Sequence, residues 1–337
     1  EAYEVKPYFD YIAANYSKTQ DEMVKIRLLE EMQRLCGNDS YYRTVAGDSF
    51  RNIFLTAIED KSSLVAAPAV SGLLRIDQAG AFEILKEKNF TVHQSLKVRA
   101  ELIAVAGQIG TAQDLEWLEN IADNAETEEE RQRAADAMMS IFQYCQTDVL
   151  LKWAEKFAVK GKTKNDEVLL AKSRTLFESA EKKAESQQDA NILTQVRYKL
   201  ADAYTQAKMY AAAAKYYGIL LQNAADANEK EDLTARLLDV NIRGRQVEST
   251  KQLLTNILLS GDIKDDRKIA VVLNTYFSEN KGQQGSDILR VISTIELSNP
   301  DQYPLWIKQI NKWRKIVNSG LSDGNVVAAD VNSNKAQ

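Results

Sequence analysis

The chain has 337 residues, of which 45% are hydrophobic and 27% charged, with a formal net charge of −5 and a pI near 5.3. That length allows about two ordinary domains or one long repeat array, and neither half is basic, so the charge balance gives a nucleic-acid surface no support. Only 4 prolines and 14 glycines are present, as long helices require, and no apolar run approaches the ~20 residues of a transmembrane helix.

Residues 4–17 read as a short first helix, with Tyr8, Ile12 and Tyr16 at a spacing of four. In 21–36, Met23, Ile26, Leu29, Met32 and Leu35 recur every third residue and mark one side of a second helix. Gly37-Asn38-Asp39-Ser40 ends it and caps the next. That third helix runs over 41–60 with Val45, Phe50, Ile53, Phe54 and Ile58. Pro68, within Leu64–Ile76, belongs in a first turn or at a kink, and Gly80 starts a further helix through Leu85.

Residues 97–122 carry a hairpin pattern. Val98, Leu102, Ala106 and Ile109 mark one helix face, Gly110-Thr111 makes the turn, and Leu115, Leu118 and Ile121 mark the return. With Val98-Arg99 and Gly107-Gln108-Ile109-Gly110, this segment resembles a HEAT-like repeat of the short bacterial kind. Arg133, followed by Ala134 and Ala135, stands 34 positions after Arg99; Arg27, preceded by Ile26, stands 72 before it. Near the middle of that gap, Val65-Ala66-Ala67 has no arginine. The resemblance implies that such arginines brace neighbouring repeats. Thr127 and Glu130 fit a capping box, opening a helix to Tyr144, and another covers 147–158.

Residues 159–166 are polar and charged, contain Gly161 and end in a plausible N-cap. They are the predicted boundary, with one array over 1–160, a second over 161–320 and a flexible tail over 321–337.

Past it, a long helix spans 167–185 with Leu169, Leu176, Phe177 and Ala180. Within 190–223, Leu200, Ala201, Tyr204, Tyr210, Ala213, Tyr217 and Leu220 resemble one tetratricopeptide repeat. Ala201 and Ala213 lack bulk where two helices cross, and the tyrosines and leucines fill the space around the crossing. The family's usual proline is absent; Ala225 stands near its place. Leu237, Asp239, Val247, Leu254 and Leu258 follow Leu200, Asp202, Tyr210, Tyr217 and Leu221 by 37 positions each, marking a second copy in which Asn241 replaces Tyr204 and Thr250 replaces Ala213. A third copy runs over 267–297 with Leu273, Tyr276, Gly282 and Ile288. Asn299-Pro300-Asp301 then opens a capping helix, Tyr303–Val317, carrying Trp306, Ile310, Trp313 and Val317.

Chemistry-bearing patterns are sparse, and no catalytic, cofactor-binding or metal-ligating residue is expected. Gly161-Lys162-Thr163 echoes the end of a phosphate-binding loop, but Lys156 stands where that loop needs glycine. The chain has a single histidine, His93, read as a helix-cap residue. Cys36 and Cys145 lie in separate repeats and read as buried thiols. Trp117, Trp153, Trp306 and Trp313 sit on apolar helical faces and read as packing residues; Lys308, Lys312, Arg314 and Lys315 read as a solvated face.

The expected fold is therefore all-α, a right-handed superhelix of antiparallel hairpins. Such repeats stack and leave an extended concave surface. The expected function is a non-catalytic scaffold that binds a protein or peptide partner there. Carrying the tetratricopeptide pattern onto this chain places Gln195, Tyr198, Asp202, Thr205 and Gln206 in the groove, with Asp239 and Arg243 in the next repeat and Tyr198 as the anchor. The competing expectations are a helical arm of a cell-envelope enzyme and a structural subunit of a larger self-assembly. The chain starts at Glu1 without an initiator Met, which favours a processed, periplasmic or extracellular protein over a cytoplasmic one.

Overall fold

A computed structural model describes residues 2–38, 40–90, 95–260, 267–280, 283–298 and 309–319. The described residues contain helices and turns and no strand, in agreement with the all-α expectation. The chain forms two compact units, Glu1–Cys145 and Gln146–Gln337. In each, successive helices pack on their neighbours, as hairpin repeats of an α–α solenoid do.

The first unit contains α1 (Ala2–Lys18), α2 (Glu22–Asn38), α3 (Ser40–Ala57), α4 (Ser63–Ile76), α5 (Gln78–Glu87), α6 (Leu96–Ile109), α7 (Leu115–Asn124) and α8 (Glu128–Phe142). Helices α2, α4, α6 and α8 form one row, each packed on the next, and α3, α5 and α7 pack along it. Every residue of α4 from Val65 to Leu74 is buried, including Pro68 and Ser71. At the Gly-Gln-Ile-Gly segment, a Cβ on Gly107 would lie 3.2 Å from Cα of Ala137. Gly107 therefore lets α6 and α8 cross closely.

Two apolar stripes differ from expectation. In α2 the buried residues are Leu29, Met32 and Cys36, whereas Met23 is 59% exposed. A strict spacing of three falls about 60° short of a full turn at each step, so the stripe drifts off the buried face. In α1, Phe9 and Ile12 are buried while Tyr8 lies at the surface. Cys36 and Cys145 are both buried thiols.

The capping devices also shift. Thr127 accepts from the Glu130 N–H as expected, but the Glu130 side chain turns to Arg99. The reciprocal capping box of this unit lies at Thr111 and Asp114. Gly80 does not start α5; its N–H, at the third position, donates to the capping Asp77.

The second unit contains α9 (Thr147–Lys164), α10 (Glu167–Gln187), α11 (Ala190–Gln206), α12 (Tyr210–Asn223), α13 (Ala227–Arg243), α14 (Val247–Ser260), α15 (Arg267–Glu279) and α16 (Gln283–Ser298). A last helix, α17, covers 310–319. The starts of α13 and α14 follow those of α11 and α12 by 37 positions, matching the predicted period. Thr250, at the small-residue position of the second copy, is fully buried.

The boundary expected at 159–166 is corrected. Those residues finish α9 and turn directly into α10, which packs extensively on α9. Gly161 is buried, and a Cβ there would meet Leu170 of α10 at 2.9 Å. The turn is a Schellman motif: Asn165 takes a left-handed φ of 52°, and the Asp166 N–H donates to Gly161 O at 2.8 Å. Asp166 then caps α10 through the N–H groups of Val168 and Leu169. A polar, glycine-containing stretch read as the boundary between two arrays is the end of α9 and its tight turn into α10. The same bond pattern recurs with Gln188, Lys208 and Arg245 in the left-handed position.

Trp153 and Trp313 are buried, and Trp117 packs near Phe82. Trp313 stacks on Phe277, their ring centroids 5.1 Å apart. The expectations placed on Asp39, His93, Gly282, Asn299 to Lys308, including Trp306, and the tail from 321 lie outside the described residues.

Candidate functional site

The second unit carries a groove of about 600 Å³ along α11, α13 and α15. Helix α11 supplies Asp202, Thr205 and Gln206; α13 supplies Asp232, Ala235, Arg236, Asp239 and Val240. Helix α15 supplies Arg267, Lys268, Val271 and Val272, and Tyr217 reaches in from α12. These helices present one wall because α13 packs directly on α12 and on α15.

Of the residues expected from sequence, Asp202, Thr205, Gln206 and Asp239 line this groove. Arg243 instead lines a neighbouring recess of about 490 Å³, together with Asp239, Tyr210, Tyr276, Glu279 and Asp287. Gln195 is exposed on the first turns of α11. Tyr198 is half-buried and its hydroxyl donates to Glu229 at 2.8 Å. Burial, then that carboxylate, pushes the Tyr198 phenol far above its ordinary range. Neither Gln195 nor Tyr198 lines the groove.

The residue that organises the groove was not foreseen. Arg236 bonds Asp202 at 3.0 Å on one side and Asp232 at 2.8 Å on the other. Lys268 reaches Asp232 at 3.3 Å from α15, so one chain of charges links three helices. The Tyr217 hydroxyl donates to Asp202 at 2.6 Å. Burial opposes charge on Asp232, yet the hydrogen bonds and attraction of Arg236 and Lys268 hold its carboxyl below the usual range. Arg236 gains the converse benefit and is held above its ordinary value despite burial.

A sequence signal for part of this existed. The 37-residue offset carries Gln195 onto Asp232 and Tyr198 onto Ala235, both of which line the groove. The third pair of helices does not keep that offset: α15 starts 40 positions after α13 and α16 starts 36 after α14, so Lys268 could not be reached by the same step.

Beneath these charges the surface is aliphatic. Ala235 and Val240 are buried, whereas Val271 is 62% exposed. Among the described residues, no group of three His, Cys, Asp or Glu side chains is placed to hold a metal ion. No described helix is long and apolar enough to cross a membrane.

No family model matches the chain, and no curated protein does. Among solved structures, the chain is similar to an engineered protein known from a crystal structure. The identity is 12%, the match covers 96% of this chain and 92% of that one, and the TM-score is 0.37. That likeness is too low to transfer a fold or a role.

Proposed function

We propose that the chain is a non-catalytic scaffold that binds another protein through the groove on α11, α13 and α15. In this reading the second unit is an array of tetratricopeptide-like hairpins, supported by the 37-residue offset of α13 and α14 from α11 and α12. The first is an array of HEAT-like hairpins, in which Arg99 braces α6 against α8.

The observation that carries the reading is Val271. Its side chain, 62% exposed, continues an aliphatic lining formed with Val272, Ala235 and Val240 inside a groove edged by charged residues of three helices. Exposed apolar surface rimmed by polar groups marks interaction sites.

The test compares wild-type protein with Val271→Asp as immobilised baits in native extract, with captured proteins quantified by mass spectrometry. The expected result is at least one abundant protein retained by wild type and lost from the variant, with equal helicity in both. Identical captures would remove the groove from the function.

A further inference from the structure

The charged side chains of the groove are bonded to one another. Arg236 is shared between Asp202 and Asp232, and Lys268 closes on Asp232. Arg243 holds Asp239 through both carboxylate oxygens at 2.9 Å. Tyr217 completes Asp202, the Thr205 hydroxyl turns back to the Ala201 carbonyl at 2.8 Å, and Arg267 is engaged as well. Besides the exposed Gln206 amide, what the wall leaves open is aliphatic: Val271 and the half-buried Val272 in front, with Ala235 and Val240 buried behind.

This arrangement selects the chemistry of an occupant. A strongly charged partner meets groups that are already neutralised, and gains attraction only by breaking existing pairs. An extended peptide arrives with unpaired backbone N–H and C=O groups, which need partners when covered. Apart from the Gln206 amide, the polar side chains of this wall already have partners and cannot serve a strand's length of backbone. An α-helix satisfies its own backbone and asks only for apolar surface. Resting on the groove reading above, we propose that the occupant is an amphipathic helix of a partner protein that lays an uncharged, aliphatic face on Val271 and Val272.

The probes are four fluorescein-labelled peptides of equal length, titrated by anisotropy against the full chain. One is a helix with a Leu/Ala face and a Gln outer face. The second and third replace part of the apolar face by Lys or by Glu. The fourth keeps the neutral composition but is held extended by interior prolines. The neutral helix is expected to bind roughly tenfold tighter than the other three, and its affinity should stay level between about 50 and 500 mM salt. Val271→Asp should abolish the difference. Preferential binding of a charged or extended peptide, lost in Val271→Asp, overturns this inference and leaves the groove reading standing. Binding of any of the four that Val271→Asp does not weaken, or no binding at all, overturns both. The same titration with Val168→Asp, an exposed valine away from the groove on α10, keeps a general loss of apolar surface from counting as support.

Discussion

Arg99 on α6 grips Glu130 on α8 through two hydrogen bonds, Nε to Oε1 at 2.5 Å and Nη2 to Oε2 at 3.0 Å. Glu130 is 3% exposed and Arg99 17%. The pair therefore sits where removing one partner strands a buried charge. Arg99→Met should destabilise the first unit by about 3–5 kcal/mol, the usual cost of breaking a buried pair from one side. Pairing it with Glu130→Leu should recover much of that loss, since a matched apolar pair is often neutral. Chemical denaturation of the four corners of this double-mutant cycle checks it. Equal stability of Arg99→Met and wild type would mean that the bond braces nothing. Arg133, which shares the sequence pattern, pairs with Glu129 of its own helix at an exposed site, so Arg133→Met should be nearly neutral.

Gly161 gives a prediction that separates a linker from a hairpin. In a linker, Gly161→Val would be harmless. Here its Cβ would meet Leu170 at 2.9 Å and the Leu170 backbone nitrogen at 3.1 Å. Overpacking of this kind typically costs about 1–3 kcal/mol. Limited proteolysis reads the same point without mutation. Lys160, Lys162 and Lys164 lie in helix α9 and should resist trypsin. Chymotrypsin should cut first after Tyr144, which is 78% exposed in the non-helical turn that follows α8. Early tryptic cleavage at 160–164 would restore the boundary at 159–166.

Much of the second unit was legible because its local signals agree. Leucines and an aspartate recurring at 37 positions, Leu200 with Leu237 and Asp202 with Asp239, marked the helix positions, and the α11/α13 and α12/α14 starts keep that offset. The hairpin turn after α9 was misread because its left-handed residue is Asn165 rather than glycine, and its polar neighbours are caps. The groove was half legible for a related reason. Asp202 and Asp239 followed the period, but Arg236 acts across it, joining Asp202 on one helix to Asp232 on its own. Periodicity reports which residues are equivalent between repeats; it does not report which residues meet between them.

Two tyrosines predict the alkaline behaviour of the second unit. Tyr204 and Tyr216 stack with centroids 5.7 Å apart, and each donates to a glutamate of α10: Glu178 at 2.5 Å and Glu181 at 2.7 Å. Burial, then these carboxylates, raises both phenols, Tyr204 to about 12. In the unfolded chain they ionise near pH ~10. The fold favours the protonated form, so this contribution is complete below about pH 10 and is lost as pH rises through the folded value. Helicity should fall over that window together with a rise in tyrosinate absorbance. Tyr204→Phe, which has no proton to lose, should move the transition to higher pH. An unmoved alkaline midpoint in both Tyr204→Phe and Tyr216→Phe would place the sensitivity elsewhere.

Trp313 closes the second unit. It is fully buried, stacks on Phe277 at an interplanar angle of 26°, and its Nε1–H donates to Asn274 Oδ1 at 2.8 Å. Around it lie Leu273, Ile288, Ile310 and Val317. The last helix thus covers an apolar end that a repeat array would otherwise expose. Trp313→Phe keeps the stacking and loses the hydrogen bond, at a cost of about 1 kcal/mol. Trp313→Ala removes the ring from a packed site, where such truncations cost about 3–5 kcal/mol. In a stack of repeats that loss is felt locally, because each repeat contacts only its neighbours. Amide exchange should therefore quicken through α15, α16 and α17 in Trp313→Ala, while α2, α4, α6 and α8 keep wild-type protection. Uniformly faster exchange in both units would mean that the terminal helix is part of one cooperative core and not a local cap.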